Sequence, residues 1–82
     1  MKTLAQLEKG KTATVVAFHA ENKDSLDILK RLLEMGLVEG AEVSVDYEAP
    51  LGGDPIAIKV RGTLIALRRS DADRVEIKEI IS

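Results

Sequence analysis

The chain has 82 residues, of which 45% are apolar and 32% charged, so it fits one small domain with a single core. Cysteine is absent, which excludes disulfides, thiolate catalysis and metal sites built on cysteine. The formal net charge is −2, and the chain has one Phe, one Tyr and no Trp. These values argue against a general nucleic-acid binder, which normally has a basic excess and aromatic side chains for stacking.

Signals that direct a chain into or across a membrane are also missing from the sequence. No apolar run approaches the roughly 18–20 residues of a membrane span. The N-terminal segment carries charges where a signal peptide needs an uninterrupted apolar core. We therefore expect a cytoplasmic protein.

The first half of the chain predicts one strand and one amphipathic helix. Residues 3–8 suggest a single helical turn, with Thr3 and Gln6 at capping-box spacing. Residues 12–18 are β-branched and apolar and predict a strand. Asp24 or Ser25 is the expected cap of the helix that follows. The apolar positions of that helix recur at one-, three- and four-residue spacings and are Leu26, Ile28, Leu29, Leu32 and Leu33.

A glycine signal marks the end of this helix. Gly36 follows the apolar run where a left-handed residue is expected, and Leu37 then takes the next position of a Schellman-type cap, in reach of Leu32. Gly40 permits the turn into the next strand. Gly36, Gly40 and Gly62 are therefore assigned to backbone shape.

The second half of the chain is predicted to be β-structure. Predicted strands cover residues 42–48, 56–60, 63–68 and 75–78. Arg61 and Gly62 form a two-residue hairpin connection, and residues 70–74 form one capped helical turn. About five short strands, one packed α-helix and one or two single helical turns predict a mainly β fold, a small barrel.

Candidate chemical groups are sparse. His19 is the single histidine, and the nearby Glu21, Asp24 and Asp27 suit the start of the helix, so we expect no iron or zinc site. Asp54 lies between a glycine and a proline, where it would hydrogen-bond its own turn. A phosphate-binding loop is missing as well. We expect neither a catalytic site nor a cofactor.

Two motifs carry a family resemblance. M-G-L-V-E-G spans residues 35–40, and A-P-L-G-G-D-P-I spans residues 49–56. With Arg31, Arg68 and Ala72 in the expected places, the order of motifs from Leu4 to Ile77 resembles the FeoA family of ferrous iron transport accessory proteins. This chain has two glycines in the second motif where many relatives have one.

The resemblance implies an SH3-like β-barrel over residues 1–82 and a non-enzymatic role in iron uptake. The implied partner is the cytosolic GTPase region of the FeoB ferrous iron transporter, so membrane contact would occur only through that partner. We expect the partner-binding residues to be Leu37, Pro50, Leu51, Asp54, Pro55, Arg61 and Arg68. A narrower hypothesis places Leu26, Leu37 and Leu51 together in an exposed apolar groove.

Two alternatives stay open from the sequence. The same barrel is found as the C-terminal module of iron-dependent transcriptional repressors, so the chain could be a regulatory or adaptor domain. Direct nucleic-acid binding is the other alternative, and salt-sensitive retention on DNA or RNA would favour it.

Overall fold

Six antiparallel strands form one sheet in this computed structural model, which describes residues 2–80. The strands are β1 (Lys2–Thr3), β2 (Thr12–Phe18), β3 (Glu42–Glu48), β4 (Ile56–Val60), β5 (Thr63–Leu67) and β6 (Val75–Glu79). Their order in the sheet is β1-β6-β2-β3-β4-β5. The helices are α1 (Lys23–Glu34) and the short α2 (Arg69–Ala72), and Leu4–Gln6 forms a 3₁₀ turn. The predicted mainly β fold is confirmed.

The strand that the sequence did not predict is β1. Lys2 and Thr3 pair with Ile77 and Glu76 of β6, which gives six strands where about five were expected. Two residues are too short for an alternation signal, so only pairing with a distant strand reveals β1. Met1, Ile81 and Ser82 lie outside the described residues, and the domain bounds of 1–82 stay a prediction.

One apolar core is formed mainly by the sheet, with side chains from the 3₁₀ turn, α1 and α2 packed into it. Alternate residues of the strands point inward, as Val43 and Val45 do in β3 and Ile56 and Ile58 do in β4. From α1, only Leu29 and Leu32 are buried among the apolar residues, whereas Leu26 and Leu33 are exposed. The buried stripe of the helix is thus narrower than its apolar spacing predicts.

In the described residues, no helix is long and apolar enough to cross a membrane.

The N-cap of α1 lies two residues before Asp24 and three before Ser25, the two predicted caps. Asn22 is the N-cap, and its side-chain oxygen accepts a hydrogen bond from the Ser25 N–H at 2.9 Å. Ser25 Oγ in turn accepts from the Asn22 N–H at 3.1 Å, which completes a capping box. The prediction of Asp24 or Ser25 as the cap is wrong because all three residue types cap helices well.

The end of α1 is the Schellman turn that the sequence predicts. The Leu37 N–H donates to the Leu32 carbonyl oxygen at 3.0 Å, and the Gly36 N–H donates to that of Leu33 at 3.1 Å. Gly36 has a φ of 103°. The connection from α1 to β3 therefore depends on a backbone conformation that residues with a side chain rarely adopt.

Replacing Gly36 with valine should lower the free energy of unfolding by about 1 kcal/mol or more. The cost is conformational, because an added Cβ would meet only the Arg61 Cδ atom, at an ordinary distance of 3.9 Å. Urea denaturation measures it. Gly36→Asn is the matched control and should lower the free energy of unfolding by less than Gly36→Val, because asparagine tolerates positive φ better than valine does. Equal stability of Gly36→Val and the parent protein would contradict the cap assignment.

Candidate protein-interaction site

A groove runs between α1 and β5, at the end of the sheet where β5 has one strand neighbour. Its volume is about 520 Å³. Its apolar lining comes from both elements and consists of Ile28, Leu32, Met35, Leu64, Ile65, Ala66 and Leu67. Met35 is 54% exposed and Leu64 is 62% exposed, so the groove presents apolar surface to solvent. We call this surface the α1–β5 groove.

The loop of residues 49–55 connects β3 to β4 and carries Leu51, which is 91% exposed, more than any other large apolar side chain among the described residues. Two hydrogen bonds close the loop: the Ala49 N–H donates to the Pro55 carbonyl oxygen, and the Gly53 N–H donates to that of Ala49, both at 3.1 Å. Pro50, Asp54 and Pro55 are also exposed. The loop therefore holds four of the predicted partner-binding residues at the surface.

Arg69 attaches this loop to the rest of the fold. Its Nε donates to the Gly53 carbonyl oxygen at 2.6 Å, and its Nη1 donates to that of Ala5 at 2.7 Å. Its Nη2 donates to Glu48 Oε1 at 3.1 Å. One guanidinium thus joins the loop, the 3₁₀ turn and the end of β3, a geometry that suits the fixed fork of arginine.

Asp54 does not hydrogen-bond its own turn as the sequence analysis expected. Its Oδ1 accepts a hydrogen bond from the Arg69 N–H at 3.1 Å, at the first residue of α2. The carboxylate therefore satisfies a helix-terminal N–H from fifteen positions away in the chain. A contact at this separation leaves no signal in the local sequence.

Leu37 is wrongly predicted as a partner-binding residue. Its side chain is 0% exposed and belongs to the apolar core. In a Schellman turn the residue after the glycine contacts the last turn of the helix, so Leu37 packs inward and not toward solvent. The groove hypothesis built on Leu26, Leu37 and Leu51 fails with it, because Leu37 is internal and the other two are exposed.

The arginines divide into two groups. Arg69 pairs with Glu48, and Arg74 lies 3.4 Å from Glu21. Within residues 2–80, Arg31, Arg61 and Arg68 have no carboxylate within 4 Å. Arg31 and Arg68 both line the α1–β5 groove, whereas Arg61 lies beside Gly36 at the end of α1. Arg61 and Arg68 were among the predicted partner-binding residues, whereas Arg31 was not.

The titratable groups on the opposite part of the sheet form surface pairs. His19 Nε2 lies 2.9 Å from Glu76 Oε1, and both side chains are partly exposed. The hydrogen bond from the Lys2 ammonium to Glu79 holds the pKa of that carboxyl below its ordinary value. Among the described residues, no group of three or more His, Asp or Glu side chains is placed to hold a metal ion.

The model of a known protein family matches this chain. The model of the FeoA domain matches residues 2–79, nearly the full length. The chain belongs to the FeoA family. This membership confirms the resemblance carried by the motifs at residues 35–40 and 49–56.

Two relatives illustrate the similarity. The chain is 34% identical over 79 residues to a Porphyromonas gingivalis protein described as an Fe(2+) transport protein A/Fe(2+) transporter FeoB fusion. That match covers 96% of this chain and 9% of the fusion protein. A zinc-complexed crystal structure of Stenotrophomonas maltophilia FeoA, described as an SH3 domain protein, is 35% identical with a TM-score of 0.84. It covers 95% of this chain and 91% of the other.

The FeoA fold also occurs in a regulator of a different class. A manganese-dependent transcriptional repressor superposes with a TM-score of 0.79 over 96% of this chain and 41% of its own. Its sequence identity to this FeoA-family chain is 14%, so the likeness concerns the fold alone.

Proposed function

We propose that this FeoA-family protein is a non-enzymatic accessory factor of ferrous iron transport that binds the cytosolic part of a FeoB-type transporter and modulates iron uptake. The observation that carries the proposal is the fusion relative, in which an FeoA part and an FeoB part share one chain. Covalent linkage raises the effective concentration of two modules that work together. The protein would be located in the cytoplasm and would contact the membrane only through the transporter.

The exposed surfaces of the chain support a binding role. The α1–β5 groove offers apolar side chains to solvent. Separately, the hydrogen-bonded loop of residues 49–55 exposes Leu51. Exposed apolar patches of this kind mark interaction sites in soluble domains. Pro50, Leu51, Asp54 and Pro55 on the loop, with Arg61 and Arg68, are the proposed contact residues.

The test is a titration of the protein against the purified cytosolic GTPase portion of its cognate FeoB, in apo, GDP-bound and GTP-analogue-bound states. Saturable binding that differs between nucleotide states supports a regulatory subunit. The same titration with the full-length transporter in detergent follows. Absence of binding to both forms would overturn the proposal.

Leu51→Ala and Arg68→Glu should each weaken transporter binding by about tenfold, or roughly 1.4 kcal/mol, with little change in stability. Leu51 would lose an apolar anchor, and Arg68 would gain a repulsive charge at the groove. Calorimetric titration measures both effects. Lys78→Glu is the matched charge reversal, because Lys78 is exposed on β6, far from β5 in the sheet order. Equal affinities for Arg68→Glu and Lys78→Glu would place the contact elsewhere.

A further inference from the structure

We propose that the α1–β5 groove accepts an extended segment of the transporter, which adds a strand to the free edge of β5 and carries an acidic residue beside its apolar ones. This inference rests on the proposed function, because it names how the same partner is held. Four observations support it: the register of β5, the space next to it, the side chains around it and the charge at its rim.

The register of the β4–β5 hairpin leaves backbone groups free at the edge. Val60 and Thr63 flank the two-residue turn and form a hydrogen-bonded pair. Pairing alternates from there, so Thr63, Ile65 and Leu67 direct their N–H and C=O groups toward β4. Leu64 and Ala66 direct theirs away from it. In the described part of the chain, no strand pairs with this outer edge and no backbone hydrogen bond reaches it.

The space beside this edge suits an extended chain. The groove of about 520 Å³ separates β5 from α1, so the helix lines the edge without closing it. Five residues of β5 would extend over about 17 Å, enough for a short paired strand. Side chains of an added strand would alternate between solvent and the apolar lining formed by Ile28, Met35 and Leu64.

The charge at the rim selects the chemistry of the segment. Arg31 and Arg68 line the groove and have no carboxylate partner among residues 2–80, and Asp71 adds one negative charge. The groove thus has a surplus of one positive charge, whereas the whole chain has a formal net charge of −2. An acidic residue in the added segment would pair with a guanidinium that has no ion-pair partner in the described part of the chain.

A strand explains the groove better than a helix does. A helical occupant would cover the outward N–H and C=O groups of Leu64 and Ala66 without bonding to them, because its own backbone groups are paired internally. Burying unpaired backbone groups is costly. A strand satisfies the same groups and still fills the apolar lining.

Hydrogen exchange of the wild-type protein, bound to its full-length cognate FeoB in detergent and read at single residues, tests the inference. The amides of Leu64 and Ala66 should slow by about tenfold or more on binding, because they become hydrogen-bonded. The Ile65 amide already bonds to β4 and serves as the internal control. Unchanged exchange at Leu64 and Ala66 in a complex shown to form would overturn strand addition and leave the proposed function standing.

A variant pair gives a second measurement on the same transporter. Ala66→Pro removes one outward N–H at a sheet edge, where proline is tolerated, and Ala66→Val keeps that N–H while adding bulk. We expect Ala66→Pro to bind at least about tenfold more weakly than Ala66→Val. Equal affinities would overturn strand addition. Failure of the wild-type protein to bind the transporter at all would overturn the proposed function, and this inference with it.

Discussion

Replacing Leu37 with alanine should lower the free energy of unfolding by about 3 kcal/mol, the largest loss expected from any single change considered for this protein. Leu37 is 0% exposed and belongs to the core cluster that joins α1 to the sheet. Alanine removes apolar volume at a site held by the Schellman turn, which limits how far the core can collapse around it. A domain of this size has a small free energy of unfolding, so this loss would be a large fraction of it. Urea denaturation measures the loss.

Leu51→Ala is the matched control for that experiment. It removes the same atoms from a side chain that is 91% exposed, so the change in stability should stay within about 0.5 kcal/mol. The two leucines are thereby separated by role, one in folding and one in the proposed binding surface. Equal losses for Leu37→Ala and Leu51→Ala would contradict the burial of Leu37 and return it to the candidate interface.

Replacing Arg69 with methionine should cost about 2 kcal/mol of unfolding free energy. Methionine keeps much of the apolar stem but loses the donors to the carbonyl oxygens of Gly53 and Ala5 and to the Glu48 carboxylate. The side chain is 31% exposed, so part of its charge interaction is screened by solvent. Most of the loss should therefore come from carbonyl groups left without a donor.

Two controls separate the geometry of Arg69 from its charge. Arg69→Lys keeps the positive charge but lacks the planar guanidinium that donates to three segments. It should therefore lower the free energy of unfolding by more than half as much as Arg69→Met does. Arg68→Met removes an exposed neighbour that has no carboxylate of residues 2–80 within 4 Å, so its effect on stability should be close to zero. If Arg68→Met and Arg69→Met have the same free energy of unfolding, Arg69 does not hold the loop.

The loop itself provides a local readout for Arg69→Met. The Gly53 N–H donates to the Ala49 carbonyl oxygen inside the loop, and this bond should open more often once Arg69 no longer holds Gly53. Faster amide exchange at Gly53, with unchanged exchange in β2, is the expected pattern. Arg69 would then act as a positioning residue for Leu51, which the loop presents to the proposed partner.

Elements with short-range signals were predicted well. The strand over residues 12–18, the strand over residues 42–48 and the Arg61–Gly62 hairpin are confirmed, and so is the glycine-dependent end of α1. Each depends on alternation or on a turn within a few residues. The N-cap prediction missed because Asn22, Asp24 and Ser25 are comparable caps, and the reciprocal Asn22–Ser25 bonds decide between them.

The candidate site was predicted only in part. The motif at residues 49–56 identified an exposed loop, and Arg68 does line the groove. The groove itself was not foreseen, because it forms between α1 and β5, which are separated in the chain by two strands. The role of Arg69 was not predicted either, because its partners at Ala5, Glu48 and Gly53 lie far apart in sequence.

The sequence alone determined the class of the fold, the ends of its main elements and membership of the FeoA family. Those properties follow from backbone preferences and hydrogen bonds between near neighbours, which local residue types control. Tertiary structure decided that Leu37 is core and Leu51 is surface. It also decided that Arg69 is hydrogen-bonded, while Arg31 and Arg68 form no ion pair within the described residues. Burial and pairing depend on which distant segments meet, and spacing along the chain does not record that.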